Sequence, residues 1–522
     1  MLNDQRPRRV VPRWRSSWLV ATTLESKSIA KAVLPDDTRK KISQEVAYKA
    51  REFDEIGSVP VAAELMFLAS ATGNLSAAKQ AAEAILAYKD RIGSRQLVRA
   101  AQQVVQGWSA DRVASASIDF IKQARSLLAI DYRNPVLLMD VARELAALRQ
   151  DKAALRYVKA AVALAPKSRF VIRSAARYYL HIGEYEIAHD LLLRSPLITI
   201  DPWVRASEIA VATVRDRTSI LVKQTIRMLS EAKHVGSEMT ELASAAATVE
   251  LLSNSNKKAK NLFKLALCHP NDNSLAQVEW AATKLRLVVD QRALETPMSF
   301  EANSHNAYRN LQIEEAIEHA ALWAKDEPFA SRPKDTQSYL LNLQGRYAEA
   351  LEAAKAASEL DGHHIGQALN LLFSKIQAGD LDEAMEDFVR LGRNSDLKEY
   401  ATHYLANAGA LAYAFGDFEQ GRQLYQRAIR SAKGRGEAYS EGLARAFFAR
   451  VATSSGDPQA STITKEAAEV VPRLPSAGAI YVVQKLVGSS KRRELQAVAS
   501  ARVAKRKWHW DTISNTLRLL DP

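Results

Sequence analysis

The segment Gly345-Arg-Tyr-Ala-Glu-Ala350 has a counterpart further along the chain, Gly379-Asp-Leu-Asp-Glu-Ala384, at a 34-residue interval. Each copy is a glycine followed five positions later by a small residue. That small residue recurs at a 34-residue interval three times and at a 37-residue interval once, namely Ala154 to Ala188, Ala316 to Ala350, Ala350 to Ala384 and Ala384 to Gly421. Equal intervals between otherwise unlike segments indicate an internal repeat.

Each repeat predicts a pair of helices. Apolar residues recur at three- and four-residue spacing on both sides of the glycine, which is the period of a helix with one buried face. The glycine can take the left-handed conformation that ends the first helix. An acid after it, such as Asp380 or Asp417, is predicted to cap the second helix. A large residue four positions after the small one, such as Phe388 or Tyr425, is predicted to fill the core.

This pattern resembles the tetratricopeptide repeat. The residues that carry the resemblance are the turn Gly-acid-aromatic-x-x-Ala, an aromatic four positions later, an Ala three after that, and a terminal proline. The segment from Ala259 to Pro270 shows all of these except the turn. The resemblance implies an all-α fold, a right-handed superhelical solenoid of helix-turn-helix repeats. Clear units cover about 135–200, 240–271 and 300–430, and degenerate ones about 59–91, 202–232 and 437–472.

The chain is predicted to have four regions that differ in repeat content and charge. They are a basic N-terminal arm (1–35), a degenerate repeat array (36–300), a second array (301–472) and a basic helical cap or tail (473–522). The 522 residues carry a formal net charge of +13. Residues 301–400 are acidic, with 10 Lys or Arg against 18 Asp or Glu. The positive charge therefore lies elsewhere in the chain, and it is concentrated at the two ends.

Catalytic signatures are missing from the sequence, so we predict a protein that is not an enzyme and that uses no metal or cofactor. It has no Gly-x-Ser-x-Gly elbow, no phosphate-binding glycine loop and no His-Glu-x-x-His. Its single cysteine, Cys268, cannot form an internal disulfide, and its helical position predicts a packed thiol. No apolar run reaches the length of a membrane span. We therefore expect a cytoplasmic protein.

Two asparagines occupy equivalent positions in consecutive repeats. Asn370 precedes Ala384 by the same 14-residue interval that separates Asn407 from Gly421. Because first helices line the concave face of a stacked array, equivalent residues are expected to form a ladder along it. In peptide-binding tetratricopeptide proteins an asparagine at this point holds the ligand main chain, so the resemblance implies that role here. Arg445 in the next unit is predicted to present a cation to the same groove. The alternative is that the two asparagines recur by chance on an exposed face.

The basic C-terminal region supports three interpretations. It could be a solvated terminal cap, a nucleic-acid site in which lysines and arginines contact phosphates and tryptophans stack on bases, or a docking surface for an acidic protein. The candidate contacts are Lys491, Arg492, Arg493, Lys505, Arg506, Lys507, Trp508 and Trp510. The basic N-terminal arm has the same alternatives.

The function that the sequence favours is a non-enzymatic scaffold or adaptor that binds a protein or peptide segment on the concave face of the repeats. One alternative is a helical-repeat protein that binds nucleic acid through its basic ends, which the acidic 301–400 region opposes. Another is a regulatory subunit that binds and controls a separate enzyme. The sequence names neither the partner nor the oligomeric state.

Overall fold

The structure is a computed structural model, and it describes Trp14 and residues 36–72, 74–106, 118–130, 132–231, 237–296, 298–360 and 364–490. Within these ranges the chain forms helices, turns and loops, with no strand. The predicted all-α helical-repeat fold is therefore confirmed.

The helices, in chain order, are α1 (Asp36–Ile56), α2 (Val59–Thr72), α3 (Leu75–Ala87), α4 (Lys89–Ile92), α5 (Arg95–Gln106), α6 (Ile118–Ile130), α7 (Pro135–Ala147), α8 (Asp151–Leu164), α9 (Arg169–His181), α10 (Tyr185–Leu193), α11 (Pro202–Val214), α12 (Val222–Glu231), α13 (Ser237–Leu252), α14 (Asn256–Ala266), α15 (Asp272–Leu285), α16 (Gln291–Leu294), α17 (Phe300–Arg309), α18 (Ile313–Asp326), α19 (Ser331–Gln344), α20 (Tyr347–Leu360), α21 (Ile365–Ala378), α22 (Leu381–Leu391), α23 (Ala401–Ala414), α24 (Phe418–Gly434), α25 (Ala438–Ser455), α26 (Ala460–Val470) and α27 (Ala477–Ser490). Short 3-10 segments cover Pro196–Thr199, Ser395–Tyr400 and Val471–Arg473.

The described residues form two compact units. The first, which we call the N-terminal unit, contains Trp14, residues 36–302 and Lys325–Phe329. The second, the C-terminal unit, contains Asn303–Ala324 and residues 330–490.

Helical hairpins are the building block of both units. Each first helix packs on the second helix that follows it, as in α7 with α8 and α23 with α24. First helices also pack on the first helices of the next hairpins. In the N-terminal unit this series runs through α7, α9, α11, α13 and α15, and in the C-terminal unit through α19, α21, α23 and α25. This is the arrangement that the 34-residue spacing predicts.

The small residues of the repeat lie where the two helices of a hairpin come closest. Ala316, Ala350 and Ala384 are fully buried. In two consecutive hairpins a serine crosses this contact: Ser304 Oγ donates to the Ala316 carbonyl at 2.9 Å, and Ser338 Oγ to the Ala350 carbonyl at 2.8 Å. The large residues four positions after the small ones fill the core as predicted: Phe263, Phe388 and Tyr425 are fully buried.

The predicted turn chemistry is confirmed in part. Gly345 and Gly379 have φ of 83° and 91°, and each ends a first helix in the left-handed region that favours glycine. Asp417 caps α24 by accepting a hydrogen bond from the Gln420 amide at 3.1 Å. Asp380 takes the predicted N-cap position of α22, but its side chain makes no cap hydrogen bond.

The C-terminal unit is closed by its last helix. α27 packs on α25 and also on α19, the first helix of the series. The Gly478 amide donates to the Tyr308 hydroxyl at 3.0 Å, and this hydroxyl lies 3.1 Å from those of both Tyr339 and Tyr439. These three buried tyrosines therefore join helices from both ends of the unit.

Two residues of the N-terminal unit differ from what the sequence led us to expect. Cys268 is exposed, so the prediction of a packed thiol is wrong. The helix α14 ends at Ala266, so Cys268 lies beyond the helix and not on its buried face. Trp14, from the region predicted to be a basic arm, is buried with its ring centroid 5.8 Å from that of Phe329 and 6.5 Å from that of Tyr178. The other residues of 1–35 lie outside the described part of the chain.

Candidate functional site

A groove in the C-terminal unit contains both predicted asparagines. It spans about 560 Å³, part of it open to solvent, and its wall is formed by four successive first helices and one residue of a second helix. Its lining residues are Tyr339 and Asn342 from α19, Asn370 and Phe373 from α21, Thr402, His403, Ala406 and Asn407 from α23, Tyr425 from α24, and Ser440, Leu443, Ala444 and Phe447 from α25. Stacking of the repeats thus brings together side chains that are remote in the sequence.

The wall of this groove is apolar and aromatic. Phe373 and Phe447 meet edge to face with ring centroids 5.0 Å apart, so α21 and α25 contact each other across the groove. No carboxylate, ammonium or guanidinium group is among the described residues that line it. The groove therefore has the composition of a site for an uncharged group.

Asn370 is buried, and its amide group bonds within the repeat array. Its Nδ2 donates to Asp335 Oδ1 at 2.8 Å and to the Asp335 carbonyl at 3.3 Å. These bonds tie α21 to the preceding first helix, α19. Asn370 thus combines a place in the groove with a structural bond between two repeats.

Asn407 makes the equivalent connection one repeat later. Its Nδ2 donates to the carbonyls of His403, at 3.1 Å, and Leu369, at 3.3 Å. Because both partners are acceptors, the amide nitrogen must face them, and this fixes the orientation of the side-chain amide. The buried Oδ1 has no hydrogen-bond partner.

Asn342 and Tyr425 are two residues of the groove that sequence reasoning missed. Asn342 Nδ2 donates to Ser374 Oγ at 2.8 Å, while its buried Oδ1 has no partner. The buried hydroxyl of Tyr425 also has none, and burial raises the pKa of this phenol above its ordinary value. Buried polar atoms normally have hydrogen-bond partners, and three of the described ones that have none belong to residues lining this groove.

The place of Asn342 in the groove could not be predicted from the repeat spacing. Thr336 holds the α19 position equivalent to Asn370, because it precedes Ala350 by the same 14-residue interval, and Asn342 lies six residues further along the helix. Asn342 therefore reaches the groove outside the register of the ladder.

The structure places Arg445 outside the groove lining. Its Nε donates to Glu441 Oε1 at 2.9 Å, and the two residues form an ion pair one turn apart on α25. The expected cation is thus paired with a carboxylate on its own helix. The basic and aromatic candidates of the C-terminal region, Lys491, Arg492, Arg493, Lys505, Arg506, Lys507, Trp508 and Trp510, lie outside the described residues.

The N-terminal unit has a polar column at the same 34-residue interval. Arg173, Ser207 and Glu241 follow one another at this spacing on α9, α11 and α13, and all three are buried. Arg173 Nε donates to Ser207 Oγ at 2.8 Å, and its Nη2 pairs with Glu241 Oε2 at 2.6 Å. Counting polar residues at the repeat interval would have found this column, which connects three repeats.

A second groove lies in the N-terminal unit and spans about 970 Å³, part of it open to solvent. Helices α1 and α2 form one side of it, and the start of α7, the end of α8 and the loop before α9 form the other. Its Lys49 is paired with Glu52 at 2.8 Å and with Glu64 at 2.6 Å. These charges are matched within the protein.

The described residues contain neither a metal-binding cluster nor a helix suited to a membrane. Among them, no group of three or more His, Cys, Asp or Glu side chains is arranged to hold a metal ion. None of the described helices combines the length and apolar character that crossing a membrane requires.

Comparison with known proteins gives structural likenesses only. No protein-family model and no curated protein matches the chain. A chain of the APC/C hetero-tetramer Cut9-Hcn1 is 13% identical, with 88% of this chain and 94% of that one covered and a TM-score of 0.40. Yeast Tom70 is 14% identical, covering 77% and 92%, with a TM-score of 0.27. The P58(IPK) TPR domain is 14% identical, covering 73% and 97%, with a TM-score of 0.21.

At TM-scores below 0.5 these likenesses carry no argument about partners. The assignment of a tetratricopeptide-like repeat fold rests on the 34-residue spacing, the helical hairpins and the packing of successive first helices described above.

Proposed function

We propose that this protein is a non-enzymatic scaffold or adaptor that binds a segment of a partner protein in the groove of its C-terminal unit. The observation that supports this is the presence, on one apolar groove, of Asn370, Asn407 and buried polar atoms without partners. A surface formed by packed first helices offers contact area with little reorganisation on binding. A few anchors in the groove would supply most of the affinity.

The presence of a single cysteine in 522 residues agrees with a reducing compartment. We propose the cytoplasm as the place where the scaffold acts.

The test is affinity capture followed by mass spectrometry, with a variant that fills the groove. Ala406 is half-buried on the groove wall, so Ala406→Leu places a larger apolar side chain there while leaving the asparagine hydrogen bonds intact. The matched control is Ala348→Leu, the same change at an exposed position of α20. We expect partners captured by wild type and the control to be lost from Ala406→Leu. Equal recovery by all three proteins would contradict the proposed site.

A further inference from the structure

The second groove, which we call the N-terminal groove, is wide enough to hold part of another molecule. Its cavity volume for water-sized molecules is about 310 Å³, whereas a single water needs roughly 10–15 Å³. Its lining is mixed, since charged side chains lie beside the apolar Leu68 and the partly exposed Leu164. An occupant that combines a polar group with an aliphatic part would suit both kinds of surface.

On the side formed by α1, Glu45 lines the N-terminal groove with a carboxylate that has no counter-ion among the described residues. Lys49, one turn further along the helix, is engaged elsewhere, because its Nζ pairs with Glu52 at 2.8 Å and with Glu64 at 2.6 Å. Glu45 is half-buried, so its carboxylate loses part of its hydration without gaining an opposite charge. A cation in the groove would supply that charge.

On the facing side, Asn134 is an independent sign of an occupant. This residue caps α7 and is only 5% exposed, and its Oδ1 accepts a hydrogen bond from the Leu137 amide at 3.0 Å. Its Nδ2 donates to none of the described residues, and it is not among the polar atoms that the protein closes off from solvent. An amide nitrogen can only donate. The occupant is therefore expected to bring an acceptor, such as a main-chain carbonyl, as well as a cation.

An acidic occupant is less well matched to this groove, although Lys167 also lines it. Lys167 is exposed in the loop before α9, where water and salt weaken its attraction for an anion. The same anion would lie in a groove lined by the carboxylates of Glu45 and Glu64, which would repel it. The half-buried carboxylate of Glu45 thus decides the sign of the charge that the groove favours.

We propose that the N-terminal groove binds a basic residue of a partner protein, lysine or arginine. The cationic group of this residue pairs with Glu45, and its aliphatic stem packs on Leu68 and Leu164. Its main-chain carbonyl accepts a hydrogen bond from Asn134 Nδ2. This contact lies in a different unit from the groove of the proposed function and does not depend on that function.

Calorimetric titration of the full-length chain with blocked pentapeptides tests the proposal. Each peptide has one variable residue between two pairs of alanines, and this residue is lysine, arginine, norleucine or glutamate. Norleucine matches the stem of lysine without its charge. At low salt we expect the lysine and arginine peptides to bind about three- to tenfold more tightly than the norleucine peptide, and the glutamate peptide to bind most weakly. High salt should reduce the advantage of the basic peptides.

Two variants separate the contact with the cation from the contact with the main chain. Glu45→Gln is expected to remove the advantage of lysine over norleucine. Asn134→Ser keeps a capping residue on α7 but lacks the Nδ2 donor, so it is expected to weaken the lysine and norleucine peptides by a similar factor. The matched control is Glu55→Gln, which removes an exposed carboxylate of α1 outside the groove and should leave the advantage of lysine unchanged.

The proposal would be overturned if the lysine peptide did not bind wild type at millimolar concentration, or if it bound no more tightly than the norleucine peptide. Both comparisons use wild type and so do not depend on the folding of a variant. An equal loss of the advantage in Glu45→Gln and Glu55→Gln would also overturn it, because the attraction would then come from the overall charge. Ala406→Leu, in the other groove, should bind the lysine peptide as wild type does, so this proposal and the proposed function can fail separately.

Discussion

Single residues set how closely α23 and α24 approach each other. A methyl group added at Gly409 would lie 2.7 Å from Tyr425 Cδ2, and one added at Gly421 would lie 2.5 Å from Tyr413 Cδ2. Both distances are shorter than side chains tolerate. Each glycine therefore faces a buried tyrosine of the other helix, and Tyr425 is also part of the groove wall.

We predict that Gly409→Ala lowers the free energy of unfolding of the C-terminal unit by about 1–3 kcal/mol, because the buried tyrosine ring must move. The matched control is Gly434→Ala in α24, where an added methyl group meets nothing within 4 Å. The control should be neutral or stabilising by about 0.5–1 kcal/mol, since alanine favours a helix. Urea denaturation followed by circular dichroism measures both, and equal stabilities would show that the close approach is absent.

Asp140 gives a residue-scale prediction about pH. Burial raises its pKa to about 7, against the hydrogen bonds from Ser94 and the Gln96 amide and the charge of Arg143, which lower it. The folded state thus holds a proton that the unfolded state releases above its ordinary pKa of 3.8. Stability from this group is therefore full below about pH 4 and is lost as pH rises towards 7.

We predict that Asp140→Asn removes this pH dependence and stabilises the N-terminal unit at pH 8 by roughly 2–4 kcal/mol. The amide oxygen can still accept the bonds from Ser94 and Gln96. Amide hydrogen exchange of α7 at pH 5 and pH 8, corrected for intrinsic rates, measures the effect. A wild-type protein whose α7 is as stable at pH 8 as at pH 5 would contradict the prediction.

Helices are connected across repeats by buried polar contacts that the apolar pattern does not show. The pair of Arg173 on α9 and Glu241 on α13 spans the intervening helix, and Ser207 on α11 bonds to the same arginine. The Nδ2 of Asn271 also donates to Glu241 Oε1 at 2.8 Å. Removing one charge would leave the other buried with reduced compensation.

We predict that Arg173→Met costs about 3–5 kcal/mol of stability in the N-terminal unit, whereas the double variant Arg173→Met/Glu241→Met recovers most of that loss. A double-mutant cycle, measured by hydrogen exchange of α9 and α13, gives the coupling energy. Additive effects of the two substitutions would mean that the ion pair contributes no coupling between these helices.

The helices themselves could be predicted from the sequence, and the groove only in part. Small residues such as Ala350 and Ala384, and the large Phe388, recur in fixed register because every hairpin needs the same close approach. The pairing of Asn370 with Asp335 could not be read in this way, because the two residues are 35 positions apart and so fall outside the 34-residue register. Asn342 enters the groove off the register for the same reason.

At the scale of the C-terminal unit, α27 holds together the two ends of the helix series. Besides the Gly478 bond to Tyr308, Lys485 Nζ donates to Gln344 Oε1 at 2.8 Å, which places α27 against the end of α19. On α25, Arg450 Nη1 donates to the Leu343 carbonyl at 3.1 Å. The helices that form the wall of the groove are therefore also held by contacts between residues that do not line it.

We predict that Tyr439→Phe, which removes one hydroxyl of the buried tyrosine cluster, loosens α27 without unfolding the hairpins. Loss of a buried hydrogen-bond partner costs about 1–3 kcal/mol. Hydrogen exchange should accelerate in α27 and α25, while α21 and α22 keep their protection. An equal increase in the exchange rates of all four helices would contradict the prediction, because it would mean that α27 does not loosen independently of the hairpins.

The groove of the C-terminal unit is the surface on which we propose that the partner binds. Hydrogen exchange of the full-length chain, alone and saturated with a captured partner, tests this most directly. We predict that the partner slows exchange in α19, α21, α23 and α25 around Asn342, Asn370 and Asn407. The Ala406→Leu variant should show no such slowing. Protection confined to residues 36–302, with those four helices unchanged, would contradict the proposal.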